Sequence, residues 1–291
     1  MTFDITTVVF QQELFFLKLQ AQSIHNFIDQ SMIDNIYVVL NDDNIEDQID
    51  IDWWQSHSSK VKIIKRNSLG VNYSLHGWYT QQAYKILSCN YSKNWNFVLD
   101  ARTFFIRKLD INCLFVDTKA NFNKFPVIEQ FDDAHTFIEN FYNIKFHDVI
   151  SPGGPPFMFH SITAKNMISD IERKTSKSFF DFFSQYCSNP IRVTEFMLYS
   201  GYVFKESLFD NLYTNEQYYD FINVADFQIG EFDYFLEQTN QTNILTLGIH
   251  RRIFPLLSDK QTEALINILF DKEILKKSDT NSLLNFKYVT D

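Results

Sequence analysis

Asp100 closes an apolar run, Phe97-Val98-Leu99, and Arg102 follows two residues later. A buried strand that stops at a carboxylate delivers it to the edge of a sheet, where α/β proteins bind ligands. If strand geometry continues past Asp100, the two side chains share a face. A carboxylate there can hold a divalent cation, and an arginine can neutralise a phosphate through paired hydrogen bonds. The plain structural reading is an exposed strand end with an incidental ion pair. The local pattern leaves both open.

Four further segments carry candidate chemistry. In Gly77–Ile86, Gln81 and Lys85 sit one helical turn apart and Gln82 one turn after Trp78. A lysine among amides and aromatic rings suits a pyrophosphate or a base; the alternative is an ordinary amphipathic helix with Tyr84 and Ile86 inward. In Ser151–His160, Gly153 and Gly154 lie between prolines, which makes a sharply turned loop able to bond a ligand through its main chain. His160 either touches that ligand or is a satisfied buried histidine. Glu195 and Tyr199 share a helix face. A glutamate among aromatic residues is expensive to bury unless paired. It can act as a general base toward a hydroxyl, grip hydroxyl groups, or simply favour a helix N-terminus. The fifth segment, Leu247–Arg252, ends a strand in Gly248-Ile249-His250, which can turn an imidazole back toward the first sheet. Neutral imidazole ligates metals, and Arg251 can reach a phosphate.

The elements that position these residues alternate. Ile5–Phe10 is a β-branched strand, and Glu13–Ile28 is a helix with Leu14, Leu17, Ala21, Ile24 and Ile28 on one face. Ile36–Leu40 is a second strand stopping at Asn41-Asp42-Asp43, and Val61–Ile64 a third. Gly77–Leu87 is a helix before the strand that ends at Asp100. Strand–helix–strand units of this kind make a parallel, doubly wound sheet. Beyond residue 110 the pattern loosens. Val127-Ile128 and Phe157–Phe159 are expected as short strands, Ala164–Lys174, Phe179–Cys187 and Thr194–Phe204 as helices. Ile244–Ile249 follows as a late strand and Asp259–Leu275 as a final helix, with the last residues frayed.

Hydrophobic residues make up 45% of the 291, and 31 are phenylalanine, so the core must be largely aromatic. The net charge of −10, with no basic block, excludes nucleic acid as a partner. Cys89, Cys113 and Cys187 form no metal or disulfide spacing and read as reduced thiols of a cytoplasmic protein. The N-terminus has no signal-peptide pattern, and no segment approaches the ~20 apolar residues of a membrane span.

Taken in order, the five segments resemble a GT-A glycosyltransferase of a bacterial and phage group. The resemblance covers about residues 4–255 and rests on the first βαβ unit, GWYTQQAYKI, VLDARTFFIR, SPGGPPFMF, TEFMLYSGY and the late Gly248-Ile249-His250. It implies a Rossmann-like, mixed and mostly parallel α/β sheet flanked by helices, as one domain over 1–291. Residues 1–110 would be the nucleotide-binding half, and 111–291 the acceptor half with a C-terminal helix. The implied activity is sugar transfer from a nucleoside-diphosphate donor, UDP-sugar first, to a glycan or other hydroxyl acceptor, as in polysaccharide biosynthesis. Glu195 and Asp100 would be catalytic. Gln81, Gln82, Lys85, Asp100, Arg102 and Arg251 would line the donor, and Gly153, Gly154, His160 and Tyr199 the acceptor. Manganese or magnesium would rest on Asp100 and His250. Arg102, however, stands where the second acid of the Asp-x-Asp pair belongs, which sets metal dependence in question. It also admits a rival, a catalytically silent sugar-nucleotide or glycan-binding domain. The absence of G-x-x-x-x-G-K and G-x-G-x-x-G weighs against nucleotide-hydrolysing and dinucleotide-binding classes.

Overall fold

A computed structural model describes residues 1–71, 77–150, 156–188, 190–216 and 219–286. Strands β1 (Phe3–Val9), β2 (Ile33–Leu40), β3 (Val61–Ile64) and β4 (Trp95–Asp100) run parallel to one another. β5 (Thr103–Phe105) follows β4 after a two-residue turn. β6 (Phe157–His160) adds antiparallel to β4 and completes a five-stranded sheet ordered β6-β4-β1-β2-β3. Every residue of β1 and of β4 is buried, as expected where helices cover both faces of a parallel sheet. The parallel strands all end at one edge, at Val9, Leu40, Ile64 and Asp100.

Helix α1 (Leu14–Phe27) connects β1 to β2 and is apolar on two faces. Leu17, Ala21 and Ile24 enter the main core against the sheet. Phe16 and Leu19 enter a second apolar cluster with Phe104, Phe254 and Leu265. That cluster is built on a small sheet in which β7 (Asp220–Val224) lies parallel to β8 (Ile244–Ile249), and β8 antiparallel to β5. Gly248 lets the Asn223 side chain of β7 and the Thr103 side chain of β5 both close on β8. A Cβ there would stand 2.9 Å from Asn223 Oδ1 and 3.3 Å from Thr103 Oγ1.

Helix α2 (Gly77–Leu87) precedes β4. Its first residue is glycine because a Cβ would meet the Phe10 ring at 2.6 Å. Helix α3 (Glu195–Lys205) is capped by Thr194, whose hydroxyl accepts from the Met197 amide at 3.4 Å. Phe196 and Tyr199 of α3 pack on Phe157 and Phe159 of β6, with ring centroids 4.6–6.0 Å apart. No helix among the described residues is long and apolar enough to cross a membrane.

Two expectations move, and two elements are additional. The strand expected at Val127-Ile128 is Lys124–Pro126, because its partner, Asp148–Ile150, sets the pairing. The final helix, α4 (Asp259–Asp271), stops short of Leu275, and the chain turns out through Glu273 at φ 56°. The helix Asp132–Tyr142 and the 3-10 segment Ile51–Lys60 were not anticipated. The end of the chain, residues 287–291, lies outside the described residues.

Candidate functional site

At the carboxyl edge of β4 the chain gathers five charged side chains in alternating sign, four of them buried and Arg102 half-buried. Asp100 is the centre. Its Oδ1 accepts from Gln81 Nε2 at 2.7 Å and pairs with Lys85 Nζ at 2.9 Å, while its Oδ2 accepts from Arg102 Nη2 at 2.9 Å. Beyond Lys85 stands Glu195, its Oε1 3.2 Å from Nζ. Beyond Arg102 stands Glu13, its Oε1 2.9 Å from Nη1. The row therefore reads Glu13, Arg102, Asp100, Lys85, Glu195. Asp100, Lys85, Glu195 and Glu13 are each at most 5% exposed.

Each member is placed by an element already described. Gln81 and Lys85, one turn apart on α2, reach the same carboxylate. The turn between β4 and β5 folds Arg102 back on Asp100, and Gln20 of α1 fixes that turn by donating to the Asp100 carbonyl at 2.6 Å and the Thr103 carbonyl at 3.0 Å. Gln82 accepts from the Glu195 amide at 3.4 Å and so ties α2 to the first turn of α3.

Burial and pairing compete for every charge here. Burial would raise the Asp100 carboxyl, but Lys85 and Arg102 together hold it below the usual carboxylate range. Burial pushes Glu195 up, and its single cation, Lys85, offsets this only in part. Glu13 is likewise raised by burial against the pull of Arg102 and, more weakly, of Arg251. Burial would lower Lys85, yet its two carboxylate partners keep it above its ordinary value. Asp100 is thus a fixed anion, and Glu13 and Glu195 are the readier proton acceptors. Glu13 Oε2, Arg102 Nε and Gln82 Nε2 are buried without a hydrogen-bond partner among the described residues.

His250 approaches from the second sheet. The Ile249 amide donates to the Arg102 carbonyl at 3.2 Å, so the late strand does return to the first. Burial, then the Arg102 charge, pushes the imidazole down to about 4, so it is neutral at ordinary pH. Its Nδ1 accepts from the Arg252 amide at 3.4 Å. A divalent cation fits this surrounding poorly. Both Asp100 oxygens already face cationic donors, and no three His, Cys, Asp or Glu residues form a metal-holding group among the described residues.

His160 and Tyr199 lie elsewhere. His160 pairs in register with Trp95, five residues from Asp100, hence about 16 Å away at ~3.3 Å per residue. Tyr199 points the same way: its hydroxyl accepts from the His160 amide at 3.0 Å and meets Tyr213 Oη at 2.8 Å. The expected acceptor role of this pair therefore finds no support in proximity to Asp100. Gly153 and Gly154 lie outside the described residues. Sequence reasoning missed Glu13, which it treated as a helix start. The signal was present, since Glu13 follows the end of β1 at the same sheet edge as Asp100. Also at this edge, beyond β2 and β3, is a cavity of about 700 Å³ lined by Asp42, Asp43, Asn44, Glu46, Arg66 and others. Arg66 is held there by Asp43 at 2.5 Å.

This architecture is the GT-A fold of glycosyltransferases. The galactosyltransferase LgtC, solved with donor and acceptor sugar analogues, superposes with a TM-score of 0.52 at 10% identity over 96% of this chain and 99% of its own. The bifunctional glycosyltransferase WbbM superposes with a TM-score of 0.53 at 8% identity over 99% of this chain, which spans 52% of WbbM. By sequence, the chain belongs to the family of unknown function DUF6492, whose model matches residues 9–227. No curated protein matches it.

Proposed function

We propose that this chain transfers a sugar from a nucleoside-diphosphate donor, a UDP-sugar first, to a hydroxyl of a glycan acceptor in polysaccharide biosynthesis. One observation carries the reading: the charged row centred on Asp100 lies at the same sheet edge as the cavity beyond β2 and β3, on a GT-A fold. Ligands of open α/β sheets bind at that edge. The cavity would take the nucleoside, with Asp42 and Asp43 accepting from ribose or base. The diphosphate would lie toward Arg102, Lys85 and Arg251, with Gln81 and Gln82 beside it.

In the transfer, the bond between the sugar's anomeric carbon and the diphosphate oxygen breaks, and its electron pair leaves on the diphosphate. A bond forms from the acceptor oxygen to the anomeric carbon, and the acceptor's proton passes to a base. Glu195, raised by burial, is suited to take it.

The test is release of nucleoside diphosphate from a panel of UDP-, GDP-, CDP- and dTDP-sugars, with and without mixed oligosaccharide acceptors. Release from one donor class, abolished in Glu195→Gln with donor binding retained, is the expected result. Binding without release in any condition would favour the silent binding domain, and no binding at all would remove the sugar-nucleotide reading.

A further inference from the structure

We infer that the donor site works without a divalent cation, with Lys85 and Arg102 supplying the positive charge that the departing diphosphate needs. The inference rests on the sugar-nucleotide reading above and deepens it. A leaving diphosphate gathers negative charge, and a site must meet it with metal or with fixed cations. A metal needs carboxylate oxygens turned toward it. Here Lys85 Nζ and Gln81 Nε2 occupy Asp100 Oδ1, and Arg102 Nη2 occupies Oδ2. Of the neighbouring Glu13 carboxylate, Oε1 is also taken by Arg102, which leaves Oε2 as a single open oxygen where a divalent cation needs several. A divalent cation placed on Asp100 would stand beside two fixed positive charges, both of which repel it.

The same two side chains keep capacity for phosphate. Lysine has three donors, and two face Asp100 and Glu195. Arginine has five, of which one goes to Asp100 and one to Glu13. The Arg102 Nε–H is buried without a partner among the described residues. Carboxylates on either side hold both cations in place, which is the second requirement of a preorganised anion site. The sequence change that removes the second acid of the Asp-x-Asp pair is thereby also the change that supplies a charge of the opposite sign.

The experiment is calorimetric titration of the full chain with UDP, GDP, CDP and ADP, each in EDTA and in millimolar manganese. Manganese binding to the nucleotide-free protein is read separately by electron paramagnetic resonance. We expect one nucleoside diphosphate to bind with affinities that agree within about threefold in the two conditions, and no bound manganese in the free protein. Lys85→Met and Arg102→Ala should each weaken that binding by about tenfold or more, with folding checked by circular dichroism. Arg102→Asp, which adds a carboxylate between Glu13 and Asp100, should gain manganese binding. A diphosphate that binds only with manganese overturns the inference and leaves the sugar-nucleotide reading intact. Metal-independent binding untouched in folded Lys85 and Arg102 variants overturns the assignment of those residues. Failure of all four nucleotides in both conditions refutes the underlying reading instead.

Discussion

The two ends of β4 bury polar groups by opposite means. At the Trp95 end, Tyr199, Tyr213 and His160 form a neutral chain. The Tyr213 hydroxyl donates at 2.8 Å to the Met158 carbonyl, or meets Tyr199 at the same distance, and the Tyr199 hydroxyl accepts from the His160 amide. At the Asp100 end, five formal charges stand in a row, with Glu13 Oε2, Arg102 Nε and Gln82 Nε2 left unpartnered among the described residues. A fold that needed only stability would use the first solution at both ends, since apolar or neutral replacements of buried ion pairs are often no less stable. Charges gathered in a row at the Asp100 end, where the parallel strands stop, are what the proposed donor site would draw on.

The sharpest way to break this contrast is to remove the cation shared by two carboxylates. Lys85→Met leaves Glu195 without a counter-ion and Asp100 with Arg102 alone. Breaking a buried pair from one side typically costs about 3–5 kcal/mol. Urea unfolding should show a loss of that order, and the double variant Lys85→Met/Glu195→Gln should recover more than half of it. Equal losses in the single and double variants would mean that Lys85 acts through packing, for example on the Phe196 ring 5.6 Å away, and not through charge.

The second prediction concerns His250, between the two sheets. The unfolded chain protonates this ring near 6.5, whereas in the fold burial and Arg102 push it down to about 4. Between those values the unfolded state holds more protons, so stability falls as pH drops from 6.5 to 4 and is unaffected above. Halving ~1.36 kcal/mol per pKa unit for a ring that is partly exposed leaves roughly 2 kcal/mol. Glu13 and Glu195, raised by burial, act with the opposite sign above 4.5. The quantity to measure is therefore the difference between wild type and His250→Asn across pH 4–7 by thermal unfolding. A flat difference would place the ring in open solvent.

How much of this was legible follows the range of the interaction. The strands up to Asp100 could be read because each is a local run of β-branched and aromatic residues with a polar stop. One face of α1 was read from its period, but Phe16 and Leu19, which face the second cluster, were not, since that cluster is assembled largely from residues beyond 220. Gln81, Lys85, Asp100, Arg102 and Glu195 could be singled out as charged or amide groups in apolar surroundings. Their order in a row could not, because it depends on how α2, α3 and the β4–β5 turn pack. His160 was grouped with the site for the turned loop before it, and Tyr199 for the helix face that it shares with Glu195. The antiparallel register of β6, set by pairing across the sheet, carries them to its other end.

That displacement supplies the mildest test. Tyr199→Phe removes one hydroxyl from the neutral chain and leaves the His160 amide and the Tyr213 hydroxyl each short of a partner, though Tyr213 can still reach the Met158 carbonyl. Leaving a buried donor unsatisfied costs about 1–3 kcal/mol, and the retained Tyr213 bond puts the expected loss near the lower end. Because α3 begins at Glu195 and carries Tyr199 one turn later, the change sits on the same helix face as Glu195 but one turn along, with its hydroxyl on the His160 amide and Tyr213 and not in the charged row. Nucleoside-diphosphate affinity should therefore stay within about twofold of wild type while the urea midpoint falls. A variant with unchanged stability and weakened nucleotide binding would reverse the roles assigned to the two ends of β4, and would return Tyr199 to the ligand.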